Sequence, residues 1–196
     1  MPLPVLTYEA AEPRIKSADL LLCRVKHGIG NKAISVVGRS PYVHAGMAAW
    51  LRDETGESRL HIVDVLQWHG GRKRLLADEV ADYPGRYDLF TVNTDRFPEF
   101  DCDGAVQHML QYADGQYGWW NVFRVSCRHM PLVRFLLPPM TDDKANGAHL
   151  PFCSQAVADA DRRGGGVDPV LHLSDRATEP GDLARSWLYR RQFSLA

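Results

Sequence analysis

Cys153 stands in His149-Leu150-Pro151-Phe152-Cys153-Ser154-Gln155, directly ahead of a stretch, Ser154 to Arg163 (SQAVADADRR), that has helix-forming composition and ends in three glycines. A thiol at a helix start meets partial positive charge that favours thiolate over thiol, and the unpaired amides of the first turn can stabilise an oxyanion. The position suits a nucleophile. The competing reading is a buried packing cysteine, and that reading is assigned to Cys23, inside an apolar strand, and to Cys102 and Cys127.

A nucleophilic thiol needs a base, and of the eight histidines His44 is the one that stands out. It lies at a strand start in Ser40-Pro41-Tyr42-Val43-His44-Ala45-Gly46-Met47, where the small neighbours Ala45, Gly46, Ala48 and Ala49 let another element approach closely. The alternative is a half-buried, hydrogen-bonded histidine without a role in chemistry. A catalytic imidazole is oriented by a third polar group. Asp64 interrupts the apolar run Ile62-Val63-Asp64-Val65-Leu66, where a carboxylate is costly unless a partner compensates it. His61 on the opposite strand face and His69 in the following turn are alternatives for this role, and the competing reading of Asp64 is a salt bridge to Arg72 or Arg74. A zinc site from His44, His61, His69 and Cys153 has no close ligand spacing beyond His61 and His69, eight residues apart, so neither metal nor cofactor is expected.

The elements that must position these residues read as strands first. Asp19 to Val25 (DLLLCRV) is a continuous apolar run, Val43 to Leu51 carries His44, and Arg59 to Gln67 carries Asp64. Between the last two, Asp53-Glu54-Thr55-Gly56-Glu57 is a polar turn with a glycine, which predicts a hairpin. Asn31 to Val37 is a short helix on paper, although Ile34, Val36 and Val37 are β-branched. Leu75 to Ala81 reads as one or two helical turns and Tyr87 to Val92 as a further strand. From Phe100 to Ala113 apolar residues recur at three- and four-residue intervals, predicting an amphipathic helix on the sheet. Pro138-Pro139 and Thr141 to Gly147 form the most evident loop. The expectation is an α+β domain over residues 1–196, a mostly antiparallel sheet with helices on one side.

Composition narrows the partners. The chain has 196 residues, 45% of them hydrophobic, enough for one sizeable core. Its 23 Lys+Arg against 24 Asp+Glu give a net charge of −1, without the basic excess that holds a phosphate backbone, so no nucleic acid is expected. Its apolar runs fall far short of the roughly 20 residues that span a bilayer, so no stable membrane insertion is expected. The amino terminus does not read as a secretory signal, which makes the cytoplasm the default expectation, with delivery outside the cell by another route as the alternative. The four cysteines form no CxxC pair, and in a reducing compartment no disulfide is expected. Oligomeric state leaves no signal in the sequence.

The order His44, Asp64, Cys153, with the nucleophile 109 positions after the base, resembles the circularly permuted branch of the NlpC/P60 superfamily of papain-like cysteine hydrolases, of the YiiX/YaeF-like kind. Ser17-Ala18-Asp19-Leu20-Leu21-Leu22 looks like that branch's first strand. Ser40-Pro41-Tyr42-Val43-His44-Ala45-Gly46 looks like its Ser-Pro-x-x-His-x-Gly strand, and Ile62-Val63-Asp64-Val65 stands where a following strand supplies a carboxylate. The segment Gln116-Tyr117-Gly118-Trp119-Trp120, the nucleophile segment Phe152-Cys153-Ser154-Gln155 and the tail Glu179-Pro180-Gly181-Asp182-Leu183-Ala184-Arg185-Ser186 follow in register, so the likeness spans about residues 17 to 188. Gln155 replaces a common glutamate, Gly118 a common aspartate, and Asp64 a commoner glutamate that would reach one methylene further.

The resemblance implies a permuted papain-like fold, an antiparallel sheet or half-barrel packed against helices. It implies an acyl-cysteine intermediate on Cys153, with His44 as base and Asp64 orienting it. The substrate would be a peptide or other acyl-containing molecule, cell-wall peptides included. A lipid acyltransferase or thioesterase of the same fold, or an inactive binding protein, are the alternatives. The Cys153 backbone amide and Tyr42 become oxyanion donors, and Ser154, Tyr117, Trp119 and Trp120 substrate-contacting residues. Phe123 and Met130 to Leu137 could extend such a groove or simply pack in the core.

Overall fold

A computed structural model describes residues 3–24, 40–66, 69–113 and 152–196. Among them seven strands, β1 (Val5–Leu6), β2 (Leu20–Arg24), β3 (Tyr42–Arg52), β4 (Ser58–Leu66), β5 (Gly70–Leu75), β6 (Tyr87–Val92) and β7 (Tyr189–Leu195), form one open sheet in the order β1-β7-β6-β2-β3-β4-β5. Every neighbouring pair is antiparallel except β1 with β7. Five α-helices accompany it: α1 (Tyr8–Ala11), α2 (Leu76–Asp82), α3 (Cys102–Leu110), α4 (Cys153–Asp159), which runs on as a π-turn over Ala160–Gly164, and α5 (Pro180–Arg185). The α+β class and the mostly antiparallel sheet agree with the sequence.

The three consecutive leucines of β2 have no solvent exposure at all. In a strand successive side chains alternate, so such a run requires cover on both faces. Leu20 and Leu22 join Ala45, Met47, Ala49, Val63 and Val65 in a core closed by α3, α4 and α5. Leu21 and Cys23 join Ala48, Leu60 and Ile62 in a second core with Ala11, Ile15, Leu76 and Val80. Helices therefore flank both faces rather than one, because α1 and α2 roof the second core. Full burial of each leucine is worth about 2 kcal/mol, so this central strand anchors the sheet from which the site is built.

The hairpin β3–β4 runs in continuous register from Gly46↔Asp64 to Arg52↔Ser58, closed by Asp53, whose carboxylate accepts the N–H groups of Thr55 and Glu57. β5 is an edge strand absent from the sequence reading. Its glycines and basic residues look like a turn, yet it pairs with β4 from His61↔Leu75 to Leu66↔Gly70. Gly71 is there because a Cβ would stand 1.5 Å from the Tyr112 carbonyl oxygen. The helix read over 100–113 is shorter: Asp101 accepts the Gly104 N–H through its side chain and starts α3 at Cys102. The helix expected at Asn31–Val37 and the loop at Thr141–Gly147 lie outside the described residues. No described helix is long and apolar enough to cross a membrane.

Candidate active site

His44 and Asp64 come together because β3 and β4 are neighbours and Gly46 sits between them. Asp64 is directly opposite Gly46, two residues along the strand from His44. A Cβ at Gly46 would lie 2.8 Å from the Ile62 side chain and 3.1 Å from Asp64 Cβ. The missing methyl lets the Asp64 side chain lie over β3 toward the imidazole. The His44 Nε2–Asp64 Oδ2 distance is 2.8 Å, with Asp64 fully buried and the His44 side chain 14% exposed.

Cys153 reaches the same imidazole from the first residue of α4. The β3–β4 ladder begins at Gly46, so Ala45 lies just beyond it, and its N–H donates to the Cys153 sulfur, as does the N–H of Ser154. Cys153 and His44 share a hydrogen bond. With Nε2 on the carboxylate, Nδ1 is the ring nitrogen left for the thiol. Burial by itself would push the Cys153 thiol up. The His44 charge and hydrogen bond, with the two backbone N–H groups, overcome this and hold the thiol below its ordinary value. Burial likewise disfavours imidazolium, but Cys153 and Asp64 together raise His44 well above its ordinary range. A thiolate–imidazolium pair is the state these opposing shifts favour.

Asp64 is shared. Arg72 on β5 sits opposite it in the ladder and donates Nε to Oδ1 at 2.9 Å and Nη2 to Oδ2 at 3.2 Å. Burial alone would raise this carboxyl; His44 and then Arg72 keep it below the usual carboxylate range. The two readings weighed for Asp64, imidazole partner and arginine salt bridge, are both present in one carboxylate. His61 Nδ1 donates to the Arg59 carbonyl oxygen, 2.9 Å away, and His69 is exposed in the β4–β5 turn, so neither occupies the position beside His44 that Asp64 holds.

The remaining assigned residues distribute differently. The Tyr42 hydroxyl donates to Asp88 Oδ2 at 2.7 Å and its ring stands edge-on to Phe90, so its single proton is committed to a buried cluster and not left for an oxyanion. The Ser154 hydroxyl donates to the Thr178 carbonyl oxygen at 2.8 Å, tying α4 to the segment before α5. Its contribution at the sulfur is its backbone N–H. Tyr117, Trp119, Trp120, Phe123 and the 130–137 segment lie outside the described residues. Ser40 is buried against Gly181, where a Cβ would come within 2.6 Å of Ser40 Cβ, so the segment leading into β3 packs closely on α5. Sequence reasoning missed the Ala45 N–H, which carries no side-chain signature, and it read Arg72 only as a rival to His44.

Among solved structures the chain is similar to metalloprotein YiiX from Escherichia coli O157:H7, with a TM-score of 0.57 and 13% identity over 90% of this chain and 95% of that one. The likeness is one of fold, the papain-like arrangement of sheet and helices. No protein-family model matches the chain, and no curated protein matches it. YiiX is described as a metalloprotein. Here both Asp64 oxygens face Arg72 and one also faces His44, and no group of three or more His, Cys, Asp or Glu suited to a metal ion occurs among the described residues. A cation at this carboxylate would have to displace a guanidinium, so the donor set does not fit one.

Proposed function

We propose that this protein is a cysteine hydrolase of the permuted NlpC/P60 type that cleaves an amide bond, in a peptide or a cell-wall peptide, through an acyl-cysteine intermediate. The observation that carries the reading is the continuous contact from thiol to imidazole to carboxylate, with the thiol below and the imidazole above its ordinary pKa. In the first step the Cys153 thiolate attacks the carbonyl carbon, and the oxygen takes the negative charge. The Cys153 backbone N–H, in the first turn of α4 and so without an intrahelical acceptor, is the oxyanion donor. Collapse breaks the C–N bond as His44 gives its proton to the leaving amine. In the second step His44 takes a proton from water and the hydroxyl adds to the acyl carbon; the C–S bond then breaks, releasing the carboxylic acid and restoring the Cys153 thiolate beside the His44 imidazolium. Asp64 keeps Nδ1 aimed at the sulfur through both steps.

The test is mass analysis after incubation with peptide, peptidoglycan-fragment and fatty-acyl thioester panels, in wild type and Cys153→Ala. An acyl adduct on Cys153 with a peptide amide, absent in the variant, is the expected result. An adduct only with fatty-acyl thioesters replaces the amidase with an acyltransferase or thioesterase. No adduct with any panel, together with a Cys153 no more reactive toward iodoacetamide than Cys23, overturns the hydrolase.

A further inference from the structure

The contacts of Asp64 do not end at Arg72. The same Nη2 that reaches Asp64 donates to Glu79 Oε2 at 2.8 Å. Glu79, on α2 and 1% exposed, also accepts Arg74 Nη1 at 2.9 Å on that oxygen and the Tyr87 hydroxyl at 2.8 Å on the other. From α4 to α2 the side chains therefore alternate in sign: thiolate, imidazolium, carboxylate, guanidinium, carboxylate. Two fully buried carboxylates share one half-buried arginine, and each would be costly without it. Only a planar fork can hold two carboxylates at fixed angles in this way.

We propose that Arg72 is a positioning residue of this site: clamped by Glu79, its guanidinium fixes the Asp64 carboxylate in the orientation that holds His44 against Cys153. This rests on the reading of Cys153 and His44 as the working pair. The arginine supplies two things. It fixes the carboxylate by a bidentate contact, which one hydrogen bond from an imidazole cannot do. It also balances the Asp64 charge, so that Asp64 orients the imidazole without holding its proton too tightly to release. The groups facing the pair from the elements around it are Cys153 from α4, Cys23 from β2, Arg72 from β5, Glu79 from α2 and Tyr87 from β6. Of these Arg72 is the cation in direct contact with Asp64.

The experiment compares the full chain as wild type, Arg72→Met and Arg72→Lys. Two readouts are taken: the pH profile of Cys153 alkylation by iodoacetamide, and the titration of the His44 imidazole by NMR. Removing the cation disfavours the thiolate and favours the imidazolium, so both the alkylation limb and the His44 titration move up in pH, by about one unit. Loss of the clamp also lowers the neutral-pH alkylation rate by about ten- to hundredfold. Arg72→Lys keeps the charge but not the fork, so it returns both titrations toward wild type while the rate stays low. A merely structural arginine would lower the rate without moving either titration. Unchanged titrations in Arg72→Met, or a rate within about twofold of wild type, overturn the proposal. If wild-type Cys153 shows no enhanced reactivity while His44 still shifts in Arg72→Met, the hydrolase reading falls and the Arg72–Asp64–His44 coupling stands.

Discussion

Cys102 and Cys153 occupy the same place in two helices, the first residue of α3 and the first residue of α4, and their thiols are driven in opposite directions. Cys102 is pushed up, by burial first and then by the charges of Asp19, Asp103 and Asp101. Cys153 is more deeply buried, yet is pulled down by His44 and by the N–H groups of Ala45 and Ser154. The first turn of α3 gives the Gly104 N–H to the Asp101 carboxylate, 2.9 Å away, which answers the positive end of the helix with a full negative charge. The first turn of α4 has no side-chain cap; Phe152 precedes it, and the Ser154 N–H goes to sulfur. A helix start is therefore not what activates a thiol. What decides is whether its amides and nearest charges face the sulfur or are already answered by carboxylates.

The sharpest way to break this contrast is His44→Ala. It removes the cation and the hydrogen bond while leaving the helix start and both amides in place. With the imidazole gone, burial dominates and the Cys153 thiol rises to join Cys23 and Cys102 above the ordinary range. At pH 6.5 the alkylation rate of Cys153 should fall by about a hundredfold or more, and the deficit should shrink only as the pH is raised through the range in which the variant's thiol ionises. A rate that stays high at pH 6.5 would mean that the α4 amides suffice, and the difference from α3 would then lie in the capping carboxylate alone.

The two helices are also in contact, and that contact can be broken separately. Gly104 in the first turn of α3 meets Gly164 at the end of the π-turn after α4; a Cβ on Gly104 would stand 2.4 Å from the Gly164 carbonyl oxygen, and one on Gly164 2.3 Å from that of Gly104. Two hydrogen bonds to Asp159 of α4, from His108 of α3 at 2.9 Å and from the hydroxyl of Tyr112 in the turn that follows α3 at 2.6 Å, fix the pair further along. Gly104→Ala forces backbone apart from backbone and should cost about 1–3 kcal/mol in chemical denaturation. Because Cys153 is at the far end of α4, its alkylation pH limb should not move. A shifted limb would show that the thiol depends on how α4 is seated as well as on His44.

How much of this was legible beforehand follows the same physics. Strands with one strong pattern were readable to within a residue or two: β3 and β4 around a polar turn, and β6 at Tyr87–Val92. β5 was not, since Gly70, Gly71, Arg72, Lys73 and Arg74 have neither apolar run nor β-branched residue; the strand exists because β4 offers it a backbone ladder and α2 offers Arg72 and Arg74 their carboxylates. β7 was missed because a register shift opposite Leu89 and Phe90 breaks the alternation of buried positions along it. At the site, Cys153, His44 and Asp64 could be singled out because each is a costly residue in its setting. That Asp64 serves His44 and Arg72 at once could not be read from a sequence in which the two partners looked like alternatives. Nor could the opposite behaviour of Cys102, because the charges that oppose its thiol include Asp19, which belongs to the turn before β2.

The smallest expected effect tests the other side of the comparison. Asp103 is exposed on α3 and follows Cys102 directly, so Asp103→Asn removes one of the three charges that raise that thiol without touching the cap at Asp101. An exposed charge is screened, and Asp19, whose carboxyl burial pushes up to about 7, ionises more fully just as the thiol begins to titrate. Alkylation of Cys102 at pH 8 should therefore rise by only about two- to threefold in Asp103→Asn, and the gain should vanish in about 1 M salt. Cys153 should be unaffected. If the gain survives high salt, the effect does not come from the exposed charge but from a change in how the first turn of α3 is formed. If there is no gain at all, burial with the Asp19 and Asp101 charges holds Cys102 unreactive, and the exposed carboxylate drops out of the difference between the two helix starts.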